Sequence, residues 1–436
     1  MSTTEKLNGY GPLAGVKVVE LCEWVAAPAC VRCLSEMGAT VIKVEPPYGD
    51  AQRTQGPGFG CEQTDMEDPT IDLNNTNKNF VSINLKNEEG MKFMKKLLAD
   101  ADIFVNNLRD KALNKMGLDY ETLHKEFPTL IWAQMRGYGE YGPEKDSPGF
   151  DAVCWAARGG IANVFREDGE SPAIAPQAFG DYNVGHMLAT GIVSALFNRT
   201  RTGKGEKVVT NLYAGAIWGG NIGICATQFG APYPKSRKHV PNPFNNTYRT
   251  YDDKWIYICM PQYDKYYPMM MGLFGHEDQI ENPDTNNLTS LKASGKNVEV
   301  IDWLEKAFAK KTFDEWMAIF KENEVPAQKC FRYTDVVKDE EAYDNDALRM
   351  VEYEAYGKRA LPMTPVRFGS YGDPPVVLSK PIGYHTAEFM HDYGYSDEEI
   401  AKIAEDGGVV VYDGPEIEDR IFVSKRQATG EAPCNW

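Results

Sequence analysis

The chain has 436 residues, 42% hydrophobic and 25% charged, and a formal net charge of −17. A chain this long predicts two domains, and its excess of acid excludes nucleic acid and anionic membranes as bulk partners. The apolar runs are short, the opening "MSTTEKLNGYGPLAG" has no signal-peptide core, and nine cysteines are scattered along the chain, so a cytoplasmic protein with reduced thiols and no membrane span is expected.

In chain order, Val16–Leu21 is β-branched and apolar and reads as a buried strand. "AAPACVRCLSEM" then reads as a helix, with Pro28 in its first turn and Gly38 at its C-terminal end. Thr40–Glu45 completes a βαβ unit. Phe80–Leu85, Asp102–Asn107 and Thr129–Gly137 read as further strands, with an amphipathic helix over "NEEGMKFMKKLLADA". Asn183–Arg199 reads as a long helix on which Gly185, Ala189 and Ala195 admit a close neighbour, and Glu206–Tyr213 as a strand. The alternation predicts an α/β, Rossmann-like large domain with a mostly parallel sheet covered on both faces. After about residue 228 the texture turns to Pro, Asn and Tyr, followed by helical patches. The expected division is a large-domain part over 1–225, a smaller α+β domain over 226–335, and a return to the large domain with a C-terminal extension over 336–436.

Much familiar chemistry is missing. No GxGxxG follows a strand, and there is no GxxxxGK[ST], HExxH or GxSxG. The six histidines are dispersed, so no metal site is expected. Cys30 and Cys33 form a CxxC inside a helix with no matching second pair, which favours buried helical thiols over a zinc half-site or redox pair. What remains is "GDYNVGHM", where Asp181 follows Gly180 at a helix start. Asp181 reads in two ways. Asp is a favoured N-cap, and a carboxylate held ionised at the positive end of a helix can also serve as a covalent nucleophile.

Four segments carry a resemblance over nearly the whole chain: "PLAGVKVVEL…AAPACVRCLSEMGATVIKVEPPYGDAQR", "NLRDKALNKMGLDYETLHKEFPTLIWAQMRGYGEYGP", "GDYNVGHMLATGIVSALFNRTRTGKGEKV" and "KPIGYHTAEFMHDYGYSDEEI". In this order they resemble the family III CoA-transferases. The resemblance implies a homodimer of interlocked rings, acyl-CoA and a free carboxylic acid as substrates, coenzyme A as a substrate, and no tightly bound cofactor. It implies that Asp181 is the catalytic aspartate, passing through a mixed anhydride and an aspartyl-CoA thioester, and that Glu140 is an acid placed near it. Val25, Ala26, Asn77, Lys78, Asn107, Lys115 and Arg136 fall on CoA-contacting segments. Pro46 replaces a basic residue used by some members, for which Arg109 or Lys111 could substitute. Related α-methylacyl-CoA racemases have a histidine where this chain has Phe150, which cannot shuttle a proton. His186, five residues past Asp181, lies roughly 140° further round the helix and does not replace it. A racemase is therefore disfavoured, and a non-catalytic CoA-binding protein is a further alternative.

The stretch Pro241-Asn242-Pro243-Phe244 and "PGFDAVCWAARGG" resemble the branch that moves CoA from an enoyl-CoA onto (R)-2-hydroxy acids in amino-acid fermentation. That branch implies a functional link to a 2-hydroxyacyl-CoA dehydratase. Formate or oxalate, carnitine-like and bile acids are the alternative acceptors. Tyr182 departs from the branch, which usually carries His after the Gly-Asp pair.

Overall fold

The computed structural model describes residues 10–432. The chain forms two compact units. The first comprises the chain up to Ile161, Ala175–Asn221 and everything from Asp339 onward; the second comprises Ala162–Ile174 and Ile222–Lys338. The segment expected over 226–335 thus gains a piece from the first half of the chain. That piece is irregular and carries no periodic signal. It is closed by Ala173 N–H donating to Ala162 O (2.8 Å) and tied down by Arg237 N–H donating to the Glu167 carboxylate (3.1 Å).

In the first unit, β1 (Lys17–Leu21), β2 (Thr40–Glu45), β3 (Lys78–Ile83), β4 (Ile103–Asn106), β5 (Ile131–Arg136) and β6 (Lys207–Asn211) join one sheet in the order β3-β2-β1-β4-β5-β6, all parallel. A two-residue strand, Val409–Val410, adds antiparallel to the outer edge of β3. The central strands are buried along nearly their whole length, which explains their continuous β-branched runs. β3 starts two residues before the expected Phe80, because Lys78 and Asn79 are buried strand residues despite their polarity.

The helices that pack on this sheet or shape its C-terminal edge include α1 (Ala26–Glu36), α2 (Pro69–Asn75), α3 (Glu88–Ala99), α4 (Asp110–Met116) and α5 (Phe179–Thr202). Phe93, Met94, Leu97 and Leu98 of α3 pack on Ile42, Val81 and Phe104 of the sheet. α1 and α5 approach so closely that a Cβ on Gly185 would stand 2.8 Å from Ala26 O. The small residues of the long helix therefore serve packing, as their spacing predicts. The C-terminal extension also returns to this unit. Val376 and Phe422 exchange backbone hydrogen bonds, Lys380 pairs with Asp419 at 2.6 Å, and Ser424 both caps the helix Lys425–Thr429 and donates to Asp373 at 2.5 Å.

The second unit is α+β. A three-stranded antiparallel sheet (Asn245–Arg249, Trp255–Cys259, Ala327–Lys329) is backed by helices that include Tyr263–Phe274, Asn297–Phe308 and Phe313–Glu322. Its aromatic residues are mostly core: Tyr248 stacks on Phe308 at 4.8 Å, and Phe274, Trp316 and Phe320 close the cluster. The Asn-Pro stretch is structural as well. Asn242 accepts from Phe244 N–H (2.9 Å) and donates to Met260 O (3.0 Å), fixing the turn.

One cluster in the first unit is built of four ionisable side chains and fully buried. Lys43 Nζ reaches Glu20 at 3.1 Å and Asp50 at 2.9 Å, and Lys78 Nζ reaches the other Glu20 oxygen at 2.7 Å. All four side chains are inaccessible to solvent. Burial opposes the charge on Lys43, but Asp50 and Glu20 more than compensate and hold it protonated. Removing one member strands an unpaired charge in the interior. Lys43→Ala is therefore expected to destabilise the first unit by about 3–5 kcal/mol, measured as the shift of its denaturant transition.

Candidate active site

A sheet with this strand order reverses its winding between β1 and β4, and side chains converge beyond the C-terminal strand ends there. A cavity of about 350 Å³ lies at that place. The turn after β1 contributes Glu23, Trp24, Val25 and Ala26; the turn after β4 contributes Asn107 to Asp110; the end of β5 contributes Met135, Arg136 and Gly137. The loop over Lys145–Phe150 and Asp181 of α5 complete it.

The β1–α1 turn is held in an unusual shape. Trp24 adopts φ 69°, and its N–H donates to Asp50 Oδ1 (3.0 Å), the same aspartate whose Oδ2 holds Lys43. Asn107 clamps the neighbouring residue, accepting from Glu23 N–H (3.2 Å) and donating to Glu23 O (2.7 Å). The Trp24 and Phe150 rings meet edge to face at 5.5 Å and wall the cavity.

Asp181 is not an N-cap. The helix begins earlier than its apolar pattern indicates, at Phe179, with Ala178 as the cap in the left-handed region (φ 58°) and no side-chain cap bond. Asp181 lies in the first turn. The neighbour of the first turn is Asp151: burial raises its carboxyl, the nearby amides of Gly180 and Asp181 only partly offset this, and its Oδ1 makes no hydrogen bond. Gly180 is required by packing. A Cβ there would stand 2.2 Å from Asp151 Oδ1 and 2.3 Å from the Trp155 ring.

Burial and then the nearby Asp151 push the Asp181 carboxyl up to about 7, and no cation offsets them among the described residues. A carboxylate favoured by the helix end alone would shift the other way. Here desolvation and like charge win. Next door, burial raises the Tyr182 hydroxyl to about 12, with Asn74 as its neighbour. His186 turns away to Cys33 Sγ at 3.3 Å, in line with its angular position on the helix. Cys30 and Cys33 are buried free thiols.

The cavity brings together Asp181, Val25, Ala26, Asn107 and Arg136 from the expected set. Arg136 is already engaged, by Asp110, by Gln134 Oε1 (3.0 Å) and by Gly139 O (3.1 Å). Asn77 and Lys78 are not brought there. Asn77 donates to Pro375 O (2.8 Å) and accepts from Val377 N–H (2.7 Å), while Lys78 is buried against Glu20 and Pro28 O. Lys115 is exposed on α4, beside Lys92, Lys95 and Lys96 in a separate surface groove. Glu140 pairs with Lys207 and does not line the cavity. Sequence reasoning missed Trp24, Lys145 and Asp151. Trp24 had a signal, since it stands in the turn after the first strand, and Asp151 sits beside Phe150; Lys145 lies in an irregular loop with none. Among the described residues no group of His, Cys, Asp or Glu could hold a metal ion, and no helix is long and apolar enough to cross a membrane.

Fold and site define an α/β protein with a cavity-lining carboxyl group, raised by burial, at the switch point of its sheet. The chain belongs to CoA-transferase family III, whose family model matches residues 13–386. It is similar to cinnamoyl-CoA:phenyllactate CoA-transferase of Clostridium sporogenes, 39% identical over 93% of this chain and 98% of that one. It is equally similar to (R)-2-hydroxy-4-methylpentanoate CoA-transferase of Clostridioides difficile, 39% identical over 92% and 100% of the two chains. A CAIB/BAIF family protein from Brucella suis has the same fold, with TM-score 0.72 and 26% identity over 88% of this chain and 99% of that one. The chain is thus a CoA-transferase with CoA as a substrate, and it has relatives named for 2-hydroxy acids.

The raised Asp181 carboxyl has a signature in stability. The folded chain keeps this proton up to about pH 7, while the unfolded chain loses it near about pH 4. Folding stability from this group therefore falls as pH rises through that window. Asp181→Asn is expected to raise the melting temperature by a few degrees at pH 8 and to leave it unchanged near pH 4, by thermal denaturation at both pH values.

Proposed function

We propose that the chain moves CoA from an enoyl-CoA to a free (R)-2-hydroxy acid, with Asp181 as covalent nucleophile. The observation that carries this reading is a carboxyl group in the cavity wall that no cation among the described residues neutralises and that burial makes more basic than an ordinary aspartate. Such a group gains nucleophilicity once ionised. Asp181 attacks the thioester carbonyl, expelling CoA thiolate and leaving a mixed anhydride. The thiolate attacks the Asp181 carbonyl, giving an aspartyl-CoA thioester and the first free acid. The acceptor carboxylate then attacks that thioester, again releasing thiolate and forming a second anhydride. Thiolate attack on the acceptor's acyl carbon yields the new acyl-CoA and restores Asp181. One thioester replaces another, so the exchange needs little driving force, and water must be kept from the anhydrides. Arg109 and Lys145 line the cavity as cations available to CoA phosphates, while Arg136 beside them is held by Asp110.

The 2-hydroxy-acid assignment is supported by the two relatives named for phenyllactate and (R)-2-hydroxy-4-methylpentanoate. The Trp24–Phe150 wall suits an apolar acyl group. A 2-hydroxyacyl-CoA that loses water yields an enoyl-CoA, the proposed donor, which is why a dehydratase is the natural functional partner. Exchange of labelled CoA between an enoyl-CoA and an acid panel tests the reading. Aryl- and alkyl-2-hydroxy acids should exceed formate, oxalate and carnitine in kcat/KM, and Phe150→Ala should narrow that preference by about tenfold. Asp181→Ala should abolish exchange. Retained exchange in that variant, or a preference for formate or carnitine, refutes the proposal.

Two copies are further proposed to interlock as rings. On a single chain Phe197 and Trp218 of the first unit are 66% and 69% exposed, and Ile174 and Phe229 of the second are 98% and 87% exposed. Apolar side chains this open are expected to be covered by a second copy. Light scattering should give twice the chain mass; a monomer at micromolar concentration contradicts the assembly.

A further inference from the structure

Asp151 takes no part in the acyl-transfer steps. It is 8% exposed, it opens the wide π-type helical turn Ala152–Arg158, and it has no basic partner among the described residues. A buried carboxylate without a cation is costly, and such a group is retained where it does something. Three observations say what. Its Oδ1 lies against the Gly180 backbone, so close that any side chain on residue 180 would collide with it. The amides of Gly180 and Asp181 lie near it, while α5 has no side-chain cap of its own. Trp155, one turn further along the same segment, is buried and crowds the same space beside Gly180.

We propose that Asp151 is the positioning residue of the nucleophile: wedged against Gly180, it sets the first turn of α5 and with it the placement and surroundings of the Asp181 carboxylate. The inference rests on the reading of Asp181 as nucleophile. Charge and geometry act together here. Asp151 is wedged against the helix start, and the same approach brings it into electrostatic contact with Asp181. The other titratable groups that face Asp181 are the Cys154 thiol and the neighbouring Tyr182 hydroxyl, both raised by burial and neutral at pH 7. Glu23, Asp110 and Asp146 and the cations Arg109, Arg136 and Lys145 face the cavity from its other walls. A substitution at residue 151 leaves all of them in place.

The test is the pH dependence of kcat/KM for CoA exchange in the wild type and in Asp151→Asn, which keeps an oxygen acceptor but removes the charge. The acid limb, set by ionisation of Asp181, should move to lower pH by about one unit in the variant. The plateau should fall severalfold with KM for acyl-CoA nearly constant, because a less basic carboxylate is a poorer nucleophile. Asp151→Ser, measured in parallel, should shift the limb in the same direction. An acid limb that stays in place in either folded variant overturns the inference. So does failure of both variants to fold, which would make Asp151 structural only. Asp181→Ala separates the two levels. If it retains exchange, the nucleophile assignment itself fails; if it is inactive while Asp151→Asn leaves the limb unmoved, only the role of Asp151 fails.

Discussion

The buried quartet of Glu20, Lys43, Asp50 and Lys78 ties three adjacent strands to the turn that shapes the cavity. Lys43 pairs with Glu20 and Asp50, and Lys78 with the other oxygen of Glu20, so the network closes only when β1, β2 and β3 are in register. Asp50 then has one oxygen left, and it takes the N–H of Trp24. That bond holds a non-glycine residue in the left-handed region, which costs on the order of 1–3 kcal/mol. A buried ion network is a weak source of stability compared with apolar packing, but it is a strong determinant of arrangement when its members cannot pair otherwise. Here the arrangement it dictates is the wall of the cavity beside Asp181.

The start of α5 shows a second conflict settled in favour of chemistry. A helix N-terminus, with exposed amides and a partial positive charge, is a natural place for an ionised carboxylate. Here Asp151 stands beside the helix start without capping it, and Asp181 faces the cavity. Two acids close together in a poorly solvated place work against the folded state at neutral pH, and the packing of Gly180 against Trp155 keeps them there. The Gly-Asp pair is therefore one unit: the glycine makes room for the neighbouring acid that alters the aspartate.

The regular part of the fold was legible because it rests on local rules. β-branched runs marked the strands to within two residues, and small residues on the long helix marked its contact with α1. The long helix started four residues before its apolar pattern does, since Phe179-Gly180-Asp181-Tyr182 has no helical periodicity and is held by groups distant in sequence. The same reason separates the site residues that reach the cavity from those that do not. Val25, Ala26, Asn107 and Arg136 stand at strand ends, where topology alone directs them to the crevice. Asn77 and Lys78 stand at the start of a strand, and Lys78 is consumed by Glu20. Lys145 lies in an irregular loop and Asp151 at the start of a π-type helical turn, and the positions of both depend on tertiary contacts that no local pattern encodes.

The outer edge of β3 is closed from the far end of the chain. Phe80 N–H donates to His385 Nδ1 (3.0 Å), Ser82 N–H to Thr386 Oγ1 (3.0 Å), and Asn84 N–H to Gly408 O (2.8 Å), before Val409–Val410 completes the sheet. A ribosome making this protein must therefore leave this strand edge uncovered for most of elongation. Open edges recruit other strands. The nascent chain carries an aggregation-prone edge during that interval, so the pace of translation through the second unit bears on its yield.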